Sequence, residues 1–168
     1  MKAIGFTRPL PVSNPEALLD INLPEPELRP HDILVAVQAV SVNPVDVKVR
    51  AAHTSAAGEY RVLGYDAAGI VQTVGSEVRN FKVGDEVYYA GALNRQGSNA
   101  QLQAVDARIA AKKPRSLDFA QAAALPLTAI TAWETLFDRL DVNKPVAGGA
   151  NALLLIGGAG GVGSLAIQ

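Results

Sequence analysis

Gly158, Gly160 and Gly163 stand at the G-x-G-x-x-G spacing directly behind the apolar run Ala152–Ile156. A second apolar stretch opens after them. Glycines in this setting permit a tight turn, let the backbone approach a pyrophosphate, and present helix N–H groups to its negative charge. The implied chemistry is dinucleotide binding at a strand–turn–helix junction, with Gly158, Gly160, Gly161, Val162 and Gly163 as candidate contacts. An ordinary glycine-rich turn is the plain alternative. The residue that separates NAD from NADP is expected about 20 positions further on, past Gln168.

Metal chemistry has little to draw on. The chain has no cysteine, and its only histidines are His31 and His53. Thiolate metal sites and disulfides are therefore excluded. A ligand set improvised from Asp46, His53 and Asp66 runs against the preference of zinc for Cys and His. A net charge of −1 gives no electrostatic case for binding nucleic acid or an anionic membrane. Hydrophobic residues make up 49% and charged residues 18% of the 168, a balance that predicts a compact globular chain. No apolar run approaches the length of a bilayer span. The opening Met1–Phe6 is short and soon interrupted by Gly5 and Pro9, unlike a signal peptide. A cytoplasmic location is the expectation.

The elements that would position these residues divide into two kinds. Ile33–Val40, Ala68–Gly75 and the stretch leading from a turn at Gly84-Asp85 to Tyr89 read as strands. Ala100–Val105 alternates apolar and polar residues, as a half-buried strand does. Short strands at this spacing predict a barrel or sandwich. After Pro114 the pattern turns helical. Ser116 is placed to cap a helix over Leu117–Ala124, and Pro126 breaks it. Leu127–Leu140 then carries Ile130, Trp133, Leu136, Phe137 and Leu140 at helical spacing, which predicts an amphipathic helix with Trp133 and Phe137 in its core stripe. A loop over 144–150 leads to the strand Ala152–Ile156.

Five segments in this order carry a family resemblance. They are Asn43-Pro44-Val45-Asp46, Gly64–Val71, Val83–Val87, Ala122–Ala132 and the terminal glycine cluster. The chain resembles the N-terminal half of a medium-chain dehydrogenase/reductase, in its zinc-free quinone oxidoreductase-like branch. The resemblance implies a mixed α/β fold. A GroES-like β-barrel catalytic domain occupies residues 1–125, and residues 126–168 supply the first strand and the start of the first helix of an incomplete Rossmann domain. It implies a cytoplasmic oxidoreductase using NADPH ahead of NADH, a small carbonyl or quinone substrate, and a homodimer for a full-length member.

Zinc-dependent relatives carry a cysteine in the segment where this chain has Asn43–Asp46, and Gly-His-Glu where it has Gly64-Tyr65-Asp66. No zinc is therefore expected. In zinc-free relatives these positions line the cleft near the nicotinamide. Hydride addition to a carbonyl builds negative charge on oxygen, so a hydrogen-bond donor takes over the metal's role. Asn43 and Tyr65 are the best donor candidates. Thr131 matches a threonine that approaches the nicotinamide, and His53 falls where relatives place substrate-facing residues. Each has a plainer alternative: a turn at Asn43-Pro44, a helix-start residue at Thr131, a surface histidine at His53. Asp46 and Asp66 read more readily as structural carboxylates. Two further readings stand beside the reductase: an inert fragment, and a non-enzymatic NADPH-binding or regulatory protein.

Overall fold

The computed structural model describes residues 1–144, 147–149 and 152–168. Two antiparallel sheets form the body. The smaller has the order β2-β1-β4, from β1 (Lys2–Phe6), β2 (Leu19–Asn22) and β4 (Arg61–Val62). The larger has the order β7-β3-β5-β6-β8, from β3 (Asp32–Ser41), β5 (Asp66–Val74), β6 (Glu86–Ala90), β7 (Leu102–Asp106) and β8 (Ala110–Lys112). An Ala3–Ala100 bridge stitches β1 to the lead-in of β7. Hydrogen bonds from Ile4 N–H to Asn99 O and from Gln101 N–H to Lys2 O reinforce it. The larger sheet carries its own core of Ile33, Val35, Ala67, Val71, Val87 and Val105, from β3, β5, β6 and β7.

The β-branched runs fall where the sequence predicts strands, and the turn at Gly84-Asp85 leads into β6 as expected. β7 corrects one detail. Its buried face is Gln103 and Val105, with Leu102 and Ala104 only half-buried. A polar side chain can face inward here because the Gln103 amide is satisfied. It accepts from the buried Tyr89 hydroxyl at 2.9 Å and donates to Gln96 O at 3.1 Å. Burial pushes the Tyr89 phenol well above its ordinary range.

Among the described residues the α-helices are α1 (Pro44–Ala52), α2 (Phe119–Ala123), α3 (Pro126–Trp133) and α4 (Gly161–Ile167). The cap of α2 is Asp118, not Ser116. Its carboxylate accepts from the Gln121 N–H at 2.7 Å, and the Gln121 side chain returns a bond to the Asp118 N–H. Ala122 and Ala123 pack on Ala68 of β5. Pro126 begins α3 as its first residue, where a missing N–H costs nothing. The helix then widens into a π-helical segment, Glu134–Arg139.

Two expectations fail in this C-terminal part. The stripe of the Leu127–Leu140 helix is not core: Trp133 is 64% exposed and stacks on Phe137 at 4.5 Å between ring centres. Helical spacing tells which residues share a face, but it does not tell how far a neighbouring element covers that face. Ala152–Leu155 forms no strand, because no described strand lies beside it to complete a ladder. The predicted loop over 144–150 lies partly outside the described residues. No described helix is long and apolar enough to cross a membrane.

Candidate active site

The register of the larger sheet assembles the site. Ser41, the last residue of β3, pairs with Asp66, the first of β5. This brings Asn43, two residues past the strand end, beside Asp66 at the same edge. The Asn43-Pro44 pair is a helix start, with Asn43 as N-cap and Pro44 as the first helical residue of α1.

Three buried polar side chains interlock there. The Asn43 amide donates to Asp66 Oδ2 at 2.8 Å. Asp46 Oδ2 accepts from the Asn43 N–H at 2.8 Å, and Asp46 Oδ1 accepts from the Gly64 N–H at 2.9 Å. Asp66 Oδ1 accepts from the Leu127 N–H of α3, also at 2.9 Å. Asp66 is 0% exposed, Asp46 6% and Asn43 7%. Burial raises the Asp66 carboxyl above its ordinary range. The Asn43 amide and the Leu127 N–H oppose that rise, and the neighbouring Asp46 carboxylate adds to it.

The other candidates are placed less tightly. Tyr65 is buried beside this cluster in the chain, and its hydroxyl has no hydrogen-bond partner among the described residues. His53 caps the opposite end of α1, roughly 15 Å away by helix rise. Its Nε2 lies 3.1 Å from Ser55 Oγ, and its ring meets Phe6 edge-on. Thr131 is exposed on α3 and donates to Leu127 O at 2.7 Å, one turn back in its own helix. Thus Asn43, Asp46 and Asp66 come together, while His53 and Thr131 stand apart from them.

A zinc ion does not fit this donor set. Each carboxylate oxygen of Asp46 and Asp66 already accepts from an N–H of the chain, and His53 lies at the far end of α1. Among the described residues no three His, Cys, Asp or Glu are arranged to hold a metal. The structure brings together no ligand set from Asp46, His53 and Asp66.

A dinucleotide fits the glycine turn better. Gly157 takes φ +77°, so the residue that needs a left-handed backbone is one position before the predicted motif. A methyl group on Gly163 would overlap the Gly157 carbonyl oxygen and stand 2.7 Å from Gly158 Cα. Only glycine allows α4 to start so close to the turn, the packing that the third glycine of such a motif provides. Gly157, Gly160, Gly161, Val162 and Gly163 line a groove of about 510 Å³ shared with Ala132 of α3. The turn and helix are thus present as expected, without the strand.

Sequence reasoning missed two participants. The Leu127 N–H had no side chain to announce it. The helix at Asn43 had a signal, since Asp46 stands three residues after the cap, where an acidic side chain can reach back.

The Alcohol dehydrogenase GroES-like domain family matches residues 29–115. The chain is 43% identical over 169 residues to the Zinc-type alcohol dehydrogenase-like protein of Staphylococcus epidermidis, covering 100% of this chain and 50% of that protein. It is 42% identical to the NADPH-dependent alkenal/one oxidoreductase, chloroplastic, of Arabidopsis thaliana, over 89% of this chain and 39% of that protein. A solved alcohol dehydrogenase protein of Rhizobium etli, zinc-dependent by its name, superposes with a TM-score of 0.95 at 59% identity, over 99% of this chain and 48% of that one. The chain spans about half the length of the curated relatives it matches, and aligns with their N-terminal half. It belongs to the medium-chain dehydrogenase/reductase superfamily of oxidoreductases, and it carries that superfamily's alcohol dehydrogenase GroES-like domain.

Proposed function

We propose that the protein is an NAD(P)H-dependent reductase of quinones or enones that works without catalytic zinc. Residues 1–125 are its barrel domain, and residues 126–168 begin its nucleotide domain. The observation that carries this reading is the Asn43–Asp46–Asp66 cluster, whose carboxylate oxygens are all engaged by N–H donors of the chain. The alkenal/one oxidoreductase relative supports the choice of NADPH and of a conjugated carbonyl acceptor. Gly157, Gly160, Gly161, Val162 and Gly163 would hold the nucleotide's pyrophosphate, and the bound nicotinamide supplies the hydride.

The chain's own task is to receive charge on the acceptor oxygen. The Asn43 amide has two N–H groups, one of them held by Asp66. The second is free to donate to an oxygen as it becomes negative. The Tyr65 hydroxyl, buried without a partner among the described residues, is the other donor. A hydrogen bond to an acceptor oxygen would satisfy a group that is costly to leave unpaired. Asp46 fixes the backbone of Asn43 against Gly64, so the amide does not reorganise as charge develops.

One observation favours an inert form of this chain: Ala152–Leu155 makes no ladder, and Leu154 and Ile156 are 85% and 92% exposed. Mixing the purified protein with NADPH and a test quinone or alkenone decides between them. The reductase reading predicts NADPH oxidation above background, and its absence with every acceptor would favour the inert form.

A further inference from the structure

We infer that Asp66 is a positioning residue: from the barrel it caps α3, and with the same carboxylate it orients the Asn43 amide. The inference rests on the reductase reading for its functional meaning and on geometry for its substance.

α3 starts without a cap of its own. Its N-cap position is Leu125, a side chain that accepts no hydrogen bond, and Pro126 follows. The first N–H that needs a partner is that of Leu127, and Asp66 Oδ1 meets it from 61 residues away at 2.9 Å. The carboxylate also faces the positive end of the helix dipole. Its other oxygen holds Asn43 at the start of α1. One buried group therefore ties β5, α1 and α3 together.

The link extends to the glycine turn. Thr128, next to Leu127, is where α4 rests: a methyl group on Gly161 would stand 3.0 Å from Thr128 Cγ2. Asn43, Asp66, Leu127-Thr128 and Gly161 form a continuous path from the proposed oxyanion donor to the proposed nucleotide turn. A carboxylate that merely filled a loop would need one partner element. Asp66 has two, and they carry the two halves of the proposed chemistry.

Amide hydrogen exchange on the nitrogen-labelled protein tests this, with Asp66→Ala and Asp66→Asn beside the wild type. The asparagine keeps an acceptor for Leu127 and an amide that can pair with Asn43 after reorientation. In Asp66→Ala, Leu127 and the amides after it in α3 should exchange about tenfold faster or more, while the Val71 amide in the barrel core keeps its protection. Asp66→Asn should restore protection. Uniform acceleration throughout the barrel, or none at Leu127, would overturn the inference. If the alanine variant does not fold, the wild type decides: a protected Leu127 amide supports the cap, and an unprotected one removes it.

A kinetic arm separates this inference from the reading beneath it. With active wild type, Asp66→Ala should lower kcat about tenfold or more, and Asp66→Asn, which restores the Leu127 cap but forces the Asn43 amide to turn over, should recover little of the loss. A wild type that oxidises no NADPH would sink the reductase reading, and the exchange result would still decide the positioning role.

Discussion

The Asn43 amide and the Asp66 carboxylate, 23 residues apart in sequence, meet at 2.8 Å with both side chains buried. The pairing commits one amide N–H and leaves the other available. It also holds the Asn43 amide as a fixed dipole at the start of α1.

Replacing Asn43 with Ala should therefore cost stability and rate together. The uncompensated Asp66 oxygen should destabilise the fold by about 1–3 kcal/mol. Loss of an oxyanion donor should lower kcat by about a hundredfold. Denaturant unfolding and steady-state NADPH oxidation measure the two effects. A stability loss with unchanged kcat would confine Asn43 to structure.

Asp66 should leave a signature in the pH dependence of stability. Its folded carboxyl titrates above the ordinary value of 3.8, so between 3.8 and the folded value the folded chain binds more protons than the unfolded one. Its contribution is fully present below 3.8 and is lost as pH rises through the folded value. Asp66→Asn removes this slope. Asp106, held well below the usual range by the Arg108 guanidinium, acts with the opposite sign but cancels between the two proteins. The urea midpoint of the wild type minus that of Asp66→Asn should decrease as pH rises from acid to neutral. Parallel curves would contradict the raised carboxyl.

Gly163→Ala should weaken NADPH binding by about tenfold or more, because the added methyl drives α4 away from the turn at Gly157 and Gly158. Ser164→Ala, at an exposed neighbouring position of the same helix, should leave affinity unchanged. Titration of NADPH fluorescence compares them, and equal affinities for all three proteins would remove the glycine turn from the binding site.

Four strands of the larger sheet were legible in the sequence as apolar or alternating runs bounded by Gly and Pro, as at Ile33–Val40 and Gly84-Asp85, whereas the short β8 and the strands of the smaller sheet, β1, β2 and β4, carry no such run and were not. The helix at Asn43 was harder, since Asn-Pro suits a turn and a helix start equally well, and only Asp46 distinguishes them. The bond from Leu127 to Asp66 is a backbone donor reaching a distant carboxylate, and no local pattern encodes it. Its one trace is Leu125, a poor residue for a cap. The exposed side of Trp133 shows the limit of periodicity: spacing defines a face and leaves open what covers it.

Thr131 offers a sharper test than its exposure suggests. Its hydroxyl bonds within α3, so Thr131→Val should leave the helix in place. If the side chain approaches the nicotinamide, the same change should raise the KM for NADPH several-fold, and Thr131→Ser should restore it. A KM unchanged in both variants would remove Thr131 from the cofactor site.

If a hydrogen-bonded polar cluster does the work of a metal in hydride transfer, NADPH oxidation should survive removal of zinc. NADPH oxidation by the protein, with an alkenone acceptor, after exhaustive dialysis against a zinc chelator tests it most directly. The rate should equal that of the undialysed protein and be unaffected by added zinc. Loss of activity on chelation, restored by zinc, would contradict it.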